Sequence, residues 1–286
     1  MSSTEGYQPS AADVKSLRER TGLPMMECKK ALVEAGGDAD KAIKILRERG
    51  EKVQSGKAGR ETSQGRIEVF RDPDGQVIGI VQMKCEQSPS AKSEKFIEVT
   101  KCLAKQAAMQ SPDPTAENLL DQPDVDNPAA KANARLLDVI NLIRENMGVA
   151  KVARVRANGG VLGLYLHHNY QEAAVVRLEG TGATAELAND IAAHAVAAKP
   201  MAVRREDVPA DVVERERDIA RKQAEQTGKP ANIVDKIAEG KVNTFFAENV
   251  LLEQIFVKDN KTKIRDLLKQ AGNATVTDLV RFKVGE

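Results

Sequence analysis

The chain has 286 residues, with 43 Lys and Arg against 42 Asp and Glu, a net charge of +1. That length predicts two or three domains with real cores, and that balance argues against a dedicated nucleic-acid binder, which is usually strongly basic. Six Phe, three Tyr and no Trp leave little for aromatic stacking on bases, so no direct nucleic-acid contact is expected. The cysteines Cys28, Cys85 and Cys102 match neither a CxxC pair nor zinc-ligand spacing and suit a reducing cytosol. No apolar run approaches ~18 residues, so no transmembrane helix is expected. The first ten residues lack the basic and apolar blocks of a signal peptide, and the expected location is cytoplasmic.

In chain order, residues 11–50 read as a compact three-helix unit. Ser10 can cap a helix carrying Val14 and Leu17, and the TGLP stretch at 21–24 ends it. A second helix covers 25–35 and stops at Gly36-Gly37. Asp38 caps a third with Ala39, Ala42, Ile43 and Leu46 on one face, ending at Gly50. Met25 and Met26 are adjacent, so one helix cannot easily bury both. Spacing favours one as core and the other as filler over a soft contact surface. Residues 51–64 have almost no large apolar side chains and read as a linker, flexible or loosely helical.

Residues 66–70 alternate, Asp72-Pro73-Asp74-Gly75 signals a turn, and 77–83 form the next strand. This strand ends at Cys85 and gives way to the small polar loop EQSPSAK, with a helix restarting near Ala91 and running to Met109. A strand, a short loop and a helix start commonly present residues to a partner. A long connection at 110–128, with room for a short helix, leads to an amphipathic helix at 129–146 bearing Leu136, Leu137, Ile140 and Ile143. Strands follow at 149–157, 161–167 and 173–178, then a helix at 183–198. Hairpin and helix thus recur at 66–109 and 160–198, which predicts two similar α/β subdomains. Two charged helices, 207–226 and 231–249, should lie antiparallel as a projecting arm. A strand at 254–258, a helix at 263–270 capped by Thr262 and a strand at 278–284 complete the chain.

Signals for enzyme chemistry are weak. No GxxxxGK[ST] occurs, and Gly180-Thr181-Gly182 lacks the third glycine of a dinucleotide site. His167 and His168 are adjacent on a predicted strand and should point to opposite faces, so they cannot share a metal without local distortion, and His194 reads as a packing or surface histidine. Cys85 sits where a strand meets a loop, but no base accompanies it. Neither catalytic residues, a metal nor a cofactor is expected.

The stretch VKSLRERTGLPMMECKKALVEAGGDADKAIKILRERG closely resembles the N-terminal domain of bacterial elongation factor Ts. The likeness continues through 161–176, IAAHAVAAKP, GKPANIVDKIAEGKVNTFFAENVLLEQIFV and the closing VRFKVG. It implies an α+β fold: a ubiquitin-associated-like three-helix domain at 1–54, a linker at 55–64, and a core of two α/β subdomains with small antiparallel sheets. Of these, 65–148 is the first subdomain, 149–200 and 250–286 are the second, and 201–249 is an inserted helical hairpin.

The resemblance also implies a function. The family binds the GDP form of elongation factor Tu, the GTPase that carries aminoacyl-tRNA, and accelerates GDP release so that GTP can bind. No covalent bond changes. Factor and nucleotide each weaken the other's binding by the same factor. Arg18, Met25 and Met26 correspond to contacts on the GTPase's nucleotide domain, which reverses the preference for a buried methionine, and His167 corresponds to a contact on another domain. The first core subdomain acts near the Mg²⁺ and phosphates. There the family usually has Thr-Asp-Phe-Val, and this chain has Gln87, Ser88, Pro89 and Ser90. Pro89 has no ring to wedge between helices. A buried Phe is worth up to roughly 3 kcal/mol, about a hundredfold in coupling. The alternative implied by this departure is a Tu-binding module or chaperone with weak exchange. The ending at Gly285-Glu286 implies that a C-terminal helix found in some members is missing. Homodimerisation through the helical hairpin, as in some relatives, is a further expectation.

Overall fold

The structure is a computed structural model that describes residues 7–110, 114–226, 228 and 230–286. It divides into two compact units, Met1–Asp72 with Gly79–Arg154 and Phe282–Glu286, and Pro73–Ile78 with Val155–Arg281.

The first unit contains α1 (Ala11–Thr21), α2 (Met25–Glu34), α3 (Ala39–Lys57), β1 (Gln64–Arg71), β2 (Val77–Cys85), the short turn α4 (Ser88–Ala91), α5 (Glu94–Met109), α6 (Asn118–Asp121), α7 (Asn133–Ile143) and β3 (Met147–Arg156). Local signals set the first helices. Ser10 and Asp13 form a reciprocal capping box, and Gly22 closes α1 in the left-handed conformation at φ 70°. Val14, Leu17, Leu23, Cys28, Leu32 and Leu46 fill a small core between the three helices.

Gly50 does not end α3, as the sequence suggested. The helix runs on to Lys57. Gly50 is instead where α3 crosses α7: a Cβ there would lie 2.9 Å from the Leu137 carbonyl oxygen. Val53 packs on the larger core formed by Phe96, Leu103, Leu119, Leu136, Ile140 and their neighbours, and the Asn141 amide donates to the Leu46 carbonyl at 2.9 Å. Tertiary packing has kept helical a stretch whose composition reads as linker. The helix after the polar loop starts at Glu94 because Ser93 accepts from the Phe96 amide. The next helix spans Asn133–Ile143, shorter than expected, and closes on Arg144 in the left-handed region. The long connection before it is ordered by Asp124, which accepts from the amides of Asp126 and Asn127 and takes both Nε and Nη2 of Arg135.

The second unit contains β4 (Val161–Leu166), β5 (Glu172–Glu179), α8 (Ala185–Ala198), α9 (Ala210–Glu225), α10 (Ala231–Asn249), α11 (Ile264–Gln270) and most of β6 (Thr275–Lys283). Ion pairs Arg217–Glu239 and Arg221–Asp235 run in opposite chain directions, so α9 and α10 are antiparallel, meeting along Ala220, Ala224, Val234, Ala238 and Val242. Thr227 and Lys229, in their connection, lie outside the described residues. Residues 254–258 are not a strand. Ile255 makes a single bridge to Lys263, and the Phe256 amide donates to Thr262 at 2.8 Å, closing a turn. Thr262 does not cap α11. Its amide donates to Asp259, and Lys263 is the cap residue.

Both sheets are three-stranded and antiparallel, ordered β1-β2-β3 and β4-β5-β6, so the α+β class expected from the sequence holds. In the second, Val161 faces Leu178 and Leu166 faces Ala173. The two sheets share a device. Val77-Ile78-Gly79-Ile80 and Val161-Leu162-Gly163-Leu164 each place a glycine third in the strand. A Cβ at Gly79 would collide with the carbonyl oxygen of Ala104 on α5, and one at Gly163 with the carbonyl group of Ala188 on α8. Each glycine therefore lets a helix backbone rest directly on a strand.

Gly79→Ala and Gly163→Ala are each expected to lower unfolding stability by about 1–3 kcal/mol through forced separation of helix and sheet. Denaturant melts of the full chain measure this. The Arg135 guanidinium holds the Asp124 carboxyl below its ordinary range, so its contribution is present at neutral pH and lost as pH falls through the folded-state value. Asp124→Asn should cost about 2 kcal/mol at pH 7. The gap to the parent chain should close on acidification through the carboxylate range, as read from paired melts.

Candidate functional site

The connection from β2 to α5 is a braced, exposed turn. Cys85 is buried at the strand end, and its thiol donates to the Gln87 carbonyl at 3.3 Å. Burial, then the nearby Glu145 charge, pushes this thiol up to about 11. It stays protonated at neutral pH and is no nucleophile. Gln87 is the cap residue of α4, and Pro89 sits in its first turn, where the missing N–H costs no helical bond. The turn closes through Lys92 N–H to the Pro89 carbonyl at 3.2 Å, and the Ser93 hydroxyl donates to the Ser90 carbonyl at 2.8 Å before serving as cap of α5. Gln87 and Pro89 are exposed, Ser88 and Ser90 half-buried, and Ala91 buried. The loop expected from sequence is thus a short helical turn that exposes the uncharged Gln87 and Pro89, with Lys92 exposed at its end.

Three residues that sequence reading passed over hold it. The Glu145 carboxylate accepts from the Gln87 amide at 3.2 Å and from the Ser90 hydroxyl at 2.6 Å. The Glu86 carboxylate accepts from the Asn146 amide at 2.6 Å and pairs with Arg60 at 3.3 Å. The Asn146 amide bond, then Arg60, holds the Glu86 carboxyl below its ordinary range. The Asn146 side chain donates to the carbonyls of Ala58 and Arg60, at 3.3 and 2.7 Å. Extending the preceding helix to 146 hid Glu145 and Asn146. Neither carries a sequence signal of its own.

The other candidate residues lie elsewhere in the chain. Met25 and Met26 open α2, and both are exposed, at 53% and 60%. Neither belongs to the core, so packing does not account for the pair. A shallow groove beside Met26 is lined by Lys29, Lys30, Val33, Glu34 and Arg49. Arg18 is exposed on α1. His167, in the second unit, is not on a strand. β4 ends at Leu166, and a turn follows, with the Tyr170 amide donating to the His167 carbonyl at 2.8 Å. The rings of His167 and His168 therefore do not point to opposite faces but lie 4.2 Å apart, tilted by 41°. The His167 Nδ1 is buried with no hydrogen-bond partner among the described residues.

His194 is fully buried. Its Nδ1 accepts from the Val257 amide at 3.3 Å, so Nε2 carries the proton to Gln254 Oε1 at 3.0 Å. Burial lowers its pKa and favours this neutral form. Among the described residues no three His, Cys, Asp or Glu side chains gather as metal ligands, and no helix is long and apolar enough to cross a membrane.

The family model described as elongation factor TS matches residues 90–286. Elongation factor Ts of Hahella chejuensis is 41% identical over 277 residues, covering 97% of this chain and 92% of its own. That of Nitratidesulfovibrio vulgaris strain DP4 is 39% identical over 290 residues, with 97% and 96% covered. That of Clostridium kluyveri strain NBRC 12016 is 34% identical over 285 residues, with 97% and 93% covered. On the matched span and this near-complete coverage, the chain belongs to the elongation factor Ts family.

Proposed function

We propose that this chain, a translation elongation factor by family, is the guanine nucleotide exchange factor of elongation factor Tu. It binds the GDP form in the cytoplasm and speeds GDP release without making or breaking a covalent bond. The domains act as separate grips. The three helices of 1–54, joined through a linker at 55–64, contact the GTPase through Arg18, Met25 and Met26. The second core subdomain, 149–200 with 250–286, contacts it through His167, and the 201–249 hairpin offers a surface for a second copy of the chain. In the core subdomain 65–148, the turn Gln87–Ser90 presses on the region that holds Mg²⁺ and phosphate.

The observation that carries this reading is the turn itself. It exposes Gln87 and Pro89 and is tied at both ends to the body of the unit, and the sequence resemblance is what assigns it the role of the family's wedge. The exposed methionines support the first grip, because polarizable, flexible side chains suit a protein contact. The exchange mechanism is reciprocal coupling: whatever free energy the bound factor takes from GDP, GDP takes from the factor.

A second reading has a specific motive. Ser88 and Pro89 replace an Asp-Phe pair and cannot reproduce a buried aromatic ring. In that reading the chain binds the GTPase and exchanges nucleotide weakly. Stopped-flow release of a fluorescent GDP from the cognate GTPase separates the two. Acceleration by about 10- to 100-fold at saturating factor is expected, whereas saturable binding with unchanged release would sink the exchange reading. Pro89→Phe combined with Ser88→Asp should raise the release rate, by up to about a hundredfold, where the GTPase keeps an apolar pocket for the ring. Release unchanged in this double variant would mean that the GTPase surface is matched to Pro89.

A further inference from the structure

Glu145 lies between the end of α7 and the start of β3, and only 9% of its surface is exposed. No cation pairs with it among the described residues. A buried carboxylate is costly unless its oxygens are hydrogen-bonded. Both of its oxygens are used, and both donors belong to one short segment. Oε2 takes the Gln87 amide at 3.2 Å and Oε1 the Ser90 hydroxyl at 2.6 Å. Gln87 is the cap residue before the turn, and Ser90 is its third residue. One carboxylate therefore spans the turn from entry to exit with two charge-assisted bonds. The neighbouring pair runs the other way: the Glu86 carboxylate takes the Asn146 amide at 2.6 Å. Segments 86–90 and 145–146 thus each give a carboxylate to the other's backbone, and the turn cannot tilt without breaking both ties.

The remaining freedom of the turn is small. Pro89 has a fixed φ, and Ala91 is buried against the body of the unit. What is left facing outward is the Gln87 side chain and the Pro89 ring. A wedge without an aromatic ring cannot act by filling a deep pocket. It can act by keeping its shape when pressed, and a preorganised segment loses little entropy on docking.

We infer that Glu145 is the positioning residue of the exchange turn: its carboxylate locks Ser88–Ala91 in one conformation and so lets Pro89 displace the structure around the nucleotide of a bound GTPase. The Ser90 hydroxyl, which stands where the family usually has Val, is the partner that makes the lock two-sided. This inference rests on the exchange reading, and it separates two effects that a loss of fold would merge. Binding of the GTPase depends on the whole contact surface, whereas the plateau rate of GDP release depends on the stiffness of the turn.

The test uses the full chain with Glu145→Ala, Glu145→Gln and Ser90→Ala. NMR amide exchange at Gln87 in the free chain reads the lock, and titrated GDP release reads plateau rate and half-saturating concentration. Glu145→Ala should speed Gln87 amide exchange and lower the plateau rate, each by about tenfold, with half-saturation moving by less than about threefold. Ser90→Ala should move both in the same direction by less. Glu145→Gln, which keeps one carbonyl oxygen for a donor, should recover part of the plateau rate. Should Glu145→Ala fail to fold, Ser90→Ala and Glu145→Gln carry the comparison. An unchanged Gln87 amide would overturn the lock. A freed amide with an undiminished plateau rate would overturn the role of Glu145 alone. Absence of any acceleration by the parent chain would overturn the exchange reading and this role with it.

Discussion

The carboxylates of Glu86 and Glu145 each accept an amide N–H from the other's segment, Asn146 and Gln87. Three elements meet at that cross-tie: the end of β2, the turn leading to α5 and the start of β3. Burying Glu145 is unfavourable on its own and is offset only by the donors that the turn supplies. The turn in turn has its outward shape because Glu145 holds it. Glu86 adds a surface arm through Arg60, and Asn146 ties the same point to the carbonyls just beyond α3. The surface offered at Gln87 and Pro89 is thus fixed by groups distant in sequence.

The frame behind this cross-tie is made the same way in both units. A three-stranded sheet carries a helix seated on a glycine, Gly79 under Ala104 and Gly163 under Ala188. Close seating aligns the helix with the strand backbone and leaves the loop at the strand end little room to drift. In the first unit the strand that carries the glycine leads directly into the exposed turn. In the second it leads into the turn that carries His167 and His168. Equivalent strand ends thus carry the 87–90 turn in the first unit and His167 in the second.

Much of this was legible in the sequence. Capping residues, Gly22 and the helical spacing of Val14 with Leu17 and of Ala39, Ala42, Ile43 and Leu46 are local signals, and the helices they predict are present. The turn at 87–90 was found by its polar composition between a strand and a helix. What was not legible depended on partners far away. Gly50 reads as a stop, yet it is a helix crossing against Leu137. The 51–57 stretch reads as linker, yet Val53 joins a core built from α5 and α7. Residues 254–258 read as a strand through the apolar run Ile255-Phe256-Val257, yet Gln254 spends its amide on the carbonyls of Ala198 and Glu248, and its neighbours close a turn. The histidine pair was misplaced because β4 ends one residue early. Glu145 gave no sign at all, since a single Glu after a helix is ordinary until its partners 55 and 58 residues away are known.

The central claim is that the braced turn is where this chain meets the nucleotide region of its GTPase. Hydrogen–deuterium exchange of the complex with GDP-bound elongation factor Tu, compared with each free protein, tests it most directly. The account expects slowed exchange in 86–93 of this chain, together with quickened exchange in the GTPase segments that hold Mg²⁺ and phosphate. A stable complex in which 86–93 exchanges as in the free chain would contradict it.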